Sequence, residues 1–540
     1  MNAPVLQVAD LRVAIGPREI VRGLSFEVEP EGTLGIVGES GSGKSMTVLA
    51  ATGLLDAPGA RVEGSSVLAG DVELVGARPR TLRRVHGDRV GFVFQDPTTS
   101  LNPLLTLERQ ITESLEAHRS MTRRAATGRA VELLEAVGLP DPAQRMHAYP
   151  HQLSGGQRQR VMIAIALACD PALLIADEPT TALDVTTQAQ IIQLVRTLQR
   201  DRGTAVVWIS HDLGVIGQVA DDVLVLRHGE AVEHRGVVEL MDAPQHPYTR
   251  ELLAARPRLG ASAPPPVTED EAVLLQVSEL DVTFPVTSAA GRGIVHAVDD
   301  VSFDVRRGRT LGIVGESGSG KSTIANVLTG LVKPAGGSVG LGGEDVLRGA
   351  SNDLRRRIAM VFQDPFSSLD PRMRAGESIA EPLRVHGLPS DGRGRDERIA
   401  ELLELVDLPE HFAQRYPHEL SGGQRQRVSI ARALALEPEL VILDESTASL
   451  DVSIQAHVLE LLRRLQGELG LTFVFIAHDL AVVQQMSHDV LVMQHGRVVE
   501  HAPAAELFAH PQEDYTRRLL AAIPPERPRA ADPPPLPDSR

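Results

Sequence analysis

Leu34-Gly35-Ile36-Val37-Gly38-Glu39-Ser40-Gly41-Ser42-Gly43-Lys44-Ser45 decides how this chain is read, and the same twelve residues return letter for letter from Leu311 to Ser322. Each copy joins an apolar run to a glycine-rich turn closed by Lys-Ser, the G-x-x-x-x-G-K-[ST] pattern of a phosphate loop. Leu34 to Val37 and Leu311 to Val314 are short and wholly apolar, as buried strands are. The glycines tolerate positive φ and let backbone N–H groups converge on an anion, and the helix that follows points its positive end at the same place. The cradle is Gly38, Glu39, Ser40, Gly41, Ser42 and Gly43 in one copy. In the other it is Gly315, Glu316, Ser317, Gly318, Ser319 and Gly320. Lys44 and Lys321 would reach the β- and γ-phosphates, while Ser45 and Ser322, the latter followed by Thr323, would hold Mg²⁺. One such match alone also reads as a flexible glycine-serine turn. A verbatim second copy removes that reading, and two nucleotide sites are expected.

Around these loops the same landmarks recur in the same order. Gln-Asp-Pro begins at Gln95 and Gln363, Leu-Ser-Gly-Gly-Gln-Arg-Gln-Arg at Leu153 and Leu420, and apolar runs end in Asp177-Glu178 and Asp444-Glu445. Leu-Asp-Val follows at Leu183 and Leu450, then His-Asp-Leu at His211 and His478. The signature serine precedes the acidic glutamate by 24 residues in both halves, and that glutamate precedes the histidine by 33 in both. Lys44 lies 51 residues before Gln95 but Lys321 only 42 before Gln363, and the extra length around Asp56 to Asp88 is assigned to surface connections. A repeat on this scale is the architecture. Alternating strands open each half (Leu6 to Val13, Leu274 to Phe284), and charged helical stretches follow the Gln-Asp-Pro loops (Arg129 to Val137, Glu397 to Val406). Short apolar runs between helices, such as Leu173 to Ala176 and Phe473 to Ile476, read as parallel strands buried on both faces, so the class is α/β.

At 540 residues the chain is too long for one core. Residues 1–255 and 273–522 are read as the two domains. Arg256 to Ala272, with Pro264-Pro265-Pro266, is read as a linker able to span roughly 55 Å when extended. The proline-rich end, 523–540, is read as disordered. A net charge of -17 argues against a surface that coats nucleic acid. The lone cysteine, Cys169, excludes a disulfide framework or thiolate cluster and reads as a buried structural thiol. There is no signal-peptide pattern, and the most apolar long run, Val161 to Ala176, is broken by Asp170-Pro171. The chain is therefore expected at the cytoplasmic side, with other subunits supplying any membrane spans.

The repeated residues suit one chemistry. A carboxylate pair at the end of a buried strand lies at the sheet edge beside the phosphate loop. Asp177 and Asp444 suit Mg²⁺ coordination, and Glu178 and Glu445 suit polarising an attacking water. The same pair alone would read equally as a helix cap. Gln95 and Gln363 offer an amide to Mg²⁺ or to the water. His211 and His478, each after an apolar strand, are placed to touch the γ-phosphate.

With Leu-Ser-Gly-Gly-Gln the chain resembles the nucleotide-binding subunits of ATP-binding-cassette (ABC) transporters over nearly its whole length. The resemblance implies two tandem P-loop ATPase domains, each with a RecA-like parallel-sheet core, an antiparallel β subdomain and a helical subdomain. It implies a head-to-tail sandwich with ATP shared between halves. Ser421, Gly422 and Gly423 would close over the nucleotide on Lys44, and Ser154, Gly155 and Gly156 over that on Lys321. Gln95-Asp-Pro-Thr-Thr-Ser-Leu-Asn-Pro103, Gln363-Asp-Pro-Phe-Ser-Ser-Leu-Asp-Pro371 and His246-Pro247-Tyr248-Thr249 are similar to the dipeptide, oligopeptide and nickel importers. Half two has the looser His510-Pro-Gln-Glu-Asp-Tyr515-Thr516.

Departures from the pattern are informative. Family members stack an aromatic on adenine near the first strands; half two offers Phe284 there, whereas half one has Ile15. Ser446 stands where half one has Pro179. The cysteine-rich segment many such subunits carry is missing, so no iron–sulfur cluster is expected. The expected function is an ATPase that energises import, with two permease subunits and an extracytoplasmic binding protein as partners. The groove beside Gln95 and Gln363 would receive a permease helix. A soluble twin-cassette protein acting on ribosomes or DNA is the alternative. Its longer charged linker and the acidic balance here favour the importer.

Overall fold

The computed structural model describes residues 3–181, 183–260, 264, 272–288, 291–347, 351–364, 368–388, 392–447 and 450–524. In half one, β1 (Leu6–Ile15), β2 (Arg18–Val28), β3 (Thr33–Val37), β4 (Ala60–Leu68), β5 (Val72–Glu73) and β6 (Val90–Val93) come first. β7 (Leu173–Asp177), β8 (Ala205–Ser210), β9 (Asp222–Arg227) and β10 (Glu230–Gly236) complete its set. They make an antiparallel sheet in the order β2-β1-β4-β5 and a six-stranded sheet in the order β10-β9-β3-β8-β7-β6. All pairs in the larger sheet are parallel except β9 with the edge strand β10.

Half two repeats the plan with β11 (Val273–Ser288), β12 (Gly291–Arg306), β13 (Thr310–Val314), β14 (Gly336–Leu341) and β15 (Glu344–Asp345). β16 (Ile358–Val361), β17 (Leu440–Asp444), β18 (Thr472–Ile476), β19 (Asp489–Gln494) and β20 (Arg497–Pro503) follow. The orders β12-β11-β14-β15 and β16-β17-β18-β13-β19-β20 match those of half one.

Strand periodicity gives each half two cores. Leu34 and Ile36 of β3 face the antiparallel sheet and the helix Lys44–Ala51, packing with Leu11, Leu24 and Val48. Val37 faces the other layer of helices, with Leu174, Trp208 and Ile163. Such strands are apolar on both faces because both faces are covered. Gly35 has no side chain for a reason: a Cβ there would lie 2.8 Å from Ile216 Cγ2 and 3.0 Å from Ala220 Cβ. Gly312 is equally crowded, with Val483 Cγ1 at 2.6 Å. The helices Arg123–Ala136 and Gly392–Leu405 occupy the charged stretches after the Gln-Asp-Pro loops. Cys169 is buried, its thiol pushed up by burial, and Trp208 is a core residue.

Two expectations need correction. The extra length of half one is built into regular elements as well as connections. β4 has nine residues against six in β14, and the helix Pro79–Val85 has seven against five in Asn352–Arg356. Ile523 and Pro524, grouped on composition with a disordered tail, are packed. Ile523 lies against the core of half two, and Pro524 accepts a hydrogen bond from the Arg256 guanidinium (3.2 Å). Residues 525–540, 261–263 and 265–271 lie outside the described part, so most of the linker and tail readings do too. The described start of the linker is engaged: Gly260 N–H donates to Gln484 Oε1 (2.8 Å). Among the described residues no helix is long and apolar enough to cross a membrane.

The close approach at β3 is testable. Gly35→Val should lower stability by about 1–3 kcal/mol, the usual cost of overpacking a core. Urea unfolding of the full chain would report it as a lower midpoint.

Candidate functional site

The phosphate loops are shaped by what lies behind them. At Gly38 (φ 154°) a Cβ would sit 2.3 Å from Leu226 O of β9, and at Gly315 (φ 150°) 2.2 Å from Met493 O of β19. Gly43 (φ 100°) and Gly320 (φ 102°) stand in the left-handed region as the helices begin. Only glycine enters these positions without strain. The buried Lys44 ammonium donates to Gly38 O (2.7 Å) and Glu39 O (3.1 Å). Lys321 donates to Gly315 O and Glu316 O, both at 2.8 Å, and burial holds its pKa below the ordinary value. Both cations thus wait on weak acceptors that an anionic phosphate would replace.

β7 and β17 deliver the acidic pairs beside the lysines. Ser45 Oγ donates to Asp177 Oδ1 and Ser322 Oγ to Asp444 Oδ1, each at 3.1 Å. Burial lifts both aspartates to about 6, with the adjacent glutamate adding to the lift and the serine hydroxyl and nearby lysine opposing it. Serine hydroxyl, aspartate and glutamine oxygens are the hard donor set that Mg²⁺ takes.

The glutamates sit in left-handed backbone, φ 45° at both Glu178 and Glu445. Their N–H groups bond Ile209 O (3.0 Å) and Ile476 O (2.9 Å) of the neighbouring strands. Glu178 Oε2 accepts from Gln95 Nε2 (2.9 Å) and Thr181 Oγ1 (3.0 Å) and lies 3.4 Å from His211 Nδ1. Burial raises its pKa, but His211, Lys44 and Thr181 together outweigh burial and bring it to about 2. His211, opposed by burial, is raised by the same glutamate. In half two, Glu445 Oε2 accepts from Gln363 Nε2 (2.6 Å), with His478 Nδ1 at 4.0 Å.

A cavity of about 410 Å³ opens at the second loop. It brings together Phe284, Lys321, Ser322, Thr323, Gln363, Glu445 and His478. Phe284 is 40% exposed at its wall, on a hairpin whose strands have 16 residues each against 10 and 11 in half one.

The same cavity is lined by Asp184 of the other half, so the site is not made by one cassette. Ser317 N–H donates to Asp184 Oδ2 (3.3 Å), and Ser40 N–H donates to Asp451 Oδ1 (2.8 Å). Ser453 Oγ donates to Glu39 Oε1 (2.6 Å) across the same divide. Hydrogen bonds to charged groups are worth about 1.5–3 kcal/mol each. The signature serines cap their helices: Ser154 Oγ accepts from Gln157 N and Ser421 Oγ from Gln424 N, both at 3.3 Å. The second signature glycine lets this helix meet the next one. A Cβ on Gly156 would be 2.6 Å from Thr187 Cγ2, and one on Gly423 2.4 Å from Ile454 Cγ2. Each signature therefore stands beside the aspartate that touches the opposite phosphate loop.

Sequence reasoning gave no role to Asp184, Asp451, Ser453, Thr181, Tyr248 or Tyr515. Leu-Asp-Val was visible as a landmark, and an aspartate before a helix reads first as a cap, which Asp184 also is (Thr187 N, 2.9 Å).

Phosphate loop, strand-end carboxylate pair and a glutamine on its glutamate, present twice and interlocked, define a nucleoside-triphosphate hydrolase of the P-loop class. Comparisons with known proteins narrow this. The profile described as ABC transporter matches residues 21–181 and 298–448. That described as oligopeptide/dipeptide transporter, C-terminal region, matches 232–277 and 499–539. The glutathione import ATP-binding protein GsiA of Pectobacterium atrosepticum is 48% identical, covering 94% of this chain and 86% of that protein. The protein of the same name from Escherichia coli K12 is 47% identical, covering 96% and 89%. A solved dimeric ATP-binding cassette with ADP and phosphate is 32% identical over 43% of this chain and 99% of that one, with a TM-score of 0.39. This chain belongs to the ABC transporter family, as an ATPase with two fused cassettes of the peptide-importer group.

The raised aspartates predict a pH effect. Folded Asp177 keeps its proton up to about pH 6, whereas an unfolded aspartate loses it near 3.8. The folded state binds the extra proton between those values, so this group's contribution to stability falls as pH rises through that window. Without nucleotide or Mg²⁺, Asp177→Asn should match the parent below pH 4 and exceed it by up to about 3 kcal/mol at pH 7. Urea titrations at the two pH values would check it.

Proposed function

We propose that this chain drives uptake of a small peptide, of the glutathione kind, by hydrolysing ATP at two sites shared between its halves. The interlocking of each phosphate loop with the opposite aspartate carries the reading: Ser40 N–H on Asp451 and Ser317 N–H on Asp184. Lys44 with Gly38 to Gly43, and Lys321 with Gly315 to Gly320, bind the phosphates. Ser421, Gly422 and Gly423 complete the first site, and Ser154, Gly155 and Gly156 the second. Phe284 supports adenine in the second site, and apolar packing at Ile15 serves the first.

Ser45, Asp177 and Gln95, and Ser322, Asp444 and Gln363, are the groups that would hold Mg²⁺. When bound, the ion would neutralise charge on the phosphates. Glu178, ionised at neutral pH with a pKa near 2, is a weak base. It orients the attacking water by accepting its hydrogen bond, and the proton leaves with the phosphate product. Gln95 and Thr181 fix the carboxylate, and His211 stands ready to donate toward the γ-phosphate.

ATP would draw the halves together and product release would part them, a motion that two permease subunits convert into alternating access. The protein would then lie peripherally on the cytoplasmic face of the membrane, receiving solute through an extracytoplasmic binding protein. The names of the relatives, the oligopeptide/dipeptide C-terminal profile and the absence of a membrane-spanning helix among the described residues support this assembly.

Equal competence of the sites is expected. Glu178→Gln and Glu445→Gln should each lower turnover to a similar extent, and the double variant by about 10²- to 10⁴-fold. Steady-state phosphate release measures this, and a silent Glu178→Gln beside a dead Glu445→Gln would refute equality. In cells lacking the chain, uptake of labelled glutathione should fall and return with the wild-type gene. Unchanged glutathione uptake with lost dipeptide uptake would move the substrate assignment.

A further inference from the structure

We propose that Tyr248 and Tyr515 are positioning residues of the two ATP sites, each fixing the phosphate loop of its own half through the backbone N–H of Glu39 or Glu316. The inference rests on the ATPase reading and adds to it a role for the C-terminal segment of each cassette.

Glu39 N–H donates to Tyr248 Oη (3.0 Å), and Glu316 N–H donates to Tyr515 Oη (3.1 Å). Both rings are buried, at 1% and 5% exposure, on the helices Pro247–Ala255 and Asp514–Ala521. The two helices begin differently. His246-Pro247 precedes Tyr248, and His246 Nδ1 caps Tyr248 N–H (3.2 Å), whereas Glu513-Asp514 precedes Tyr515 without such a cap. Both are nevertheless anchored alike. Glu233 accepts from Gln245 N–H (2.9 Å) and His246 N–H (3.0 Å), and Glu500 accepts from Gln512 N–H (2.9 Å) and Glu513 N–H (3.2 Å). What survives the change of sequence is the tyrosine hydroxyl at the loop. Burial pushes Tyr248 up to about 12, so its hydroxyl stays neutral across ordinary pH.

The peptide held this way is a pivotal one. Its own carbonyl, Gly38 O, accepts from the Lys44 ammonium (2.7 Å), and the Glu39 carboxylate accepts from Ser453 of the opposite half (2.6 Å). The next N–H, of Ser40, reaches Asp451 (2.8 Å). Rotation of the Gly38–Glu39 peptide would swing Lys44 and Ser40 off the phosphate position together. Gly38, lacking a Cβ, offers that peptide little resistance of its own. A hydroxyl acceptor on a buried helix supplies the resistance, and it lowers the ordering cost when nucleotide arrives. Tyr248 and Tyr515 lie in the regions matched by the oligopeptide/dipeptide C-terminal profile, so that region serves the catalytic loops directly.

Tyr248→Phe with Tyr515→Phe removes two oxygens and keeps the rings. In the full chain, the KM for ATP should rise about fivefold, the worth of one lost backbone hydrogen bond. The kcat should stay within about twofold, and the melting temperature without nucleotide should move little, while the extra stability gained on adding MgATP shrinks. Thr249→Val, a substitution buried on the same helix away from the loop, is the structural comparator. If the tyrosine variant lowers the nucleotide-free melting temperature as Thr249→Val does while KM stays put, the residues are packing groups and the proposal is wrong. Unchanged KM and unchanged MgATP stabilisation would overturn it equally. A wild-type chain that neither binds nor hydrolyses ATP would instead sink the ATPase reading itself.

Discussion

No side chain fits at Gly38 or Gly315, and much of the molecule follows from that. The carbonyls of Leu226 and Met493 stand within 2.3 Å of where a Cβ would be. The phosphate loop therefore lies directly on the strand next to its own, and the order β9-β3-β8 or β19-β13-β18 is what brings that strand there. The close fit also turns Lys44 and Lys321 inward onto loop carbonyls, where burial makes a bare ammonium costly. An anion arriving at the helix end relieves this cost and meets N–H groups already aimed at it. Catalytic geometry here is a consequence of strand packing, not an addition to it.

The second dependence runs between halves. Asp184 does two jobs: it caps its own helix through Thr187 N–H and also receives Ser317 N–H from the opposite loop, while Asp451, which begins its helix without a side-chain cap bond, receives Ser40 N–H. A helix N-terminus is thereby built into the wall of a site that belongs to the other cassette. Separation of the halves removes charge-assisted bonds from the phosphate loops themselves. Any parting of the halves would then act on the loops directly. The signature glycines Gly156 and Gly423 serve the same face, since they let the signature helix press against the helix that Asp184 or Asp451 begins.

How much of this was legible follows from how local each feature is. The twelve-residue repeat, the strand-end Asp-Glu pairs and the glutamines carry their meaning in short, recognisable spacing, and the structure brings Gln95 and His211 to the same Glu178 carboxylate. Ser317 and Asp184 are 133 residues apart, and Ser40 and Asp451 are 411 apart. No periodicity connects residues at that distance, and an aspartate before a helix already has a local explanation. Tyr248 was hidden for a related reason. Its motif marks a family, while the hydroxyl's target is a backbone N–H, which leaves no trace in side-chain identity. Ile523 and Pro524 were misplaced because proline content was read as disorder, whereas the first of these residues is an apolar contact.

The twins are also less alike than the verbatim loop suggests, and the difference lies in what surrounds each glutamate and in the hairpins. Glu178 is held by Gln95, Thr181 and His211, and among the described residues Glu445 is held by Gln363. The Gln363 bond is 2.6 Å against 2.9 Å from Gln95, and His478 Nδ1 stands off at 4.0 Å against 3.4 Å for His211. The hairpins differ the other way: the long hairpin and Phe284 belong to half two, the short hairpin and Ile15 to half one. Among the described residues the first site thus shows the more bonded glutamate and the second an aromatic wall. Both sites are built from the two halves of one chain, so each of these unlike sites comes paired with the other.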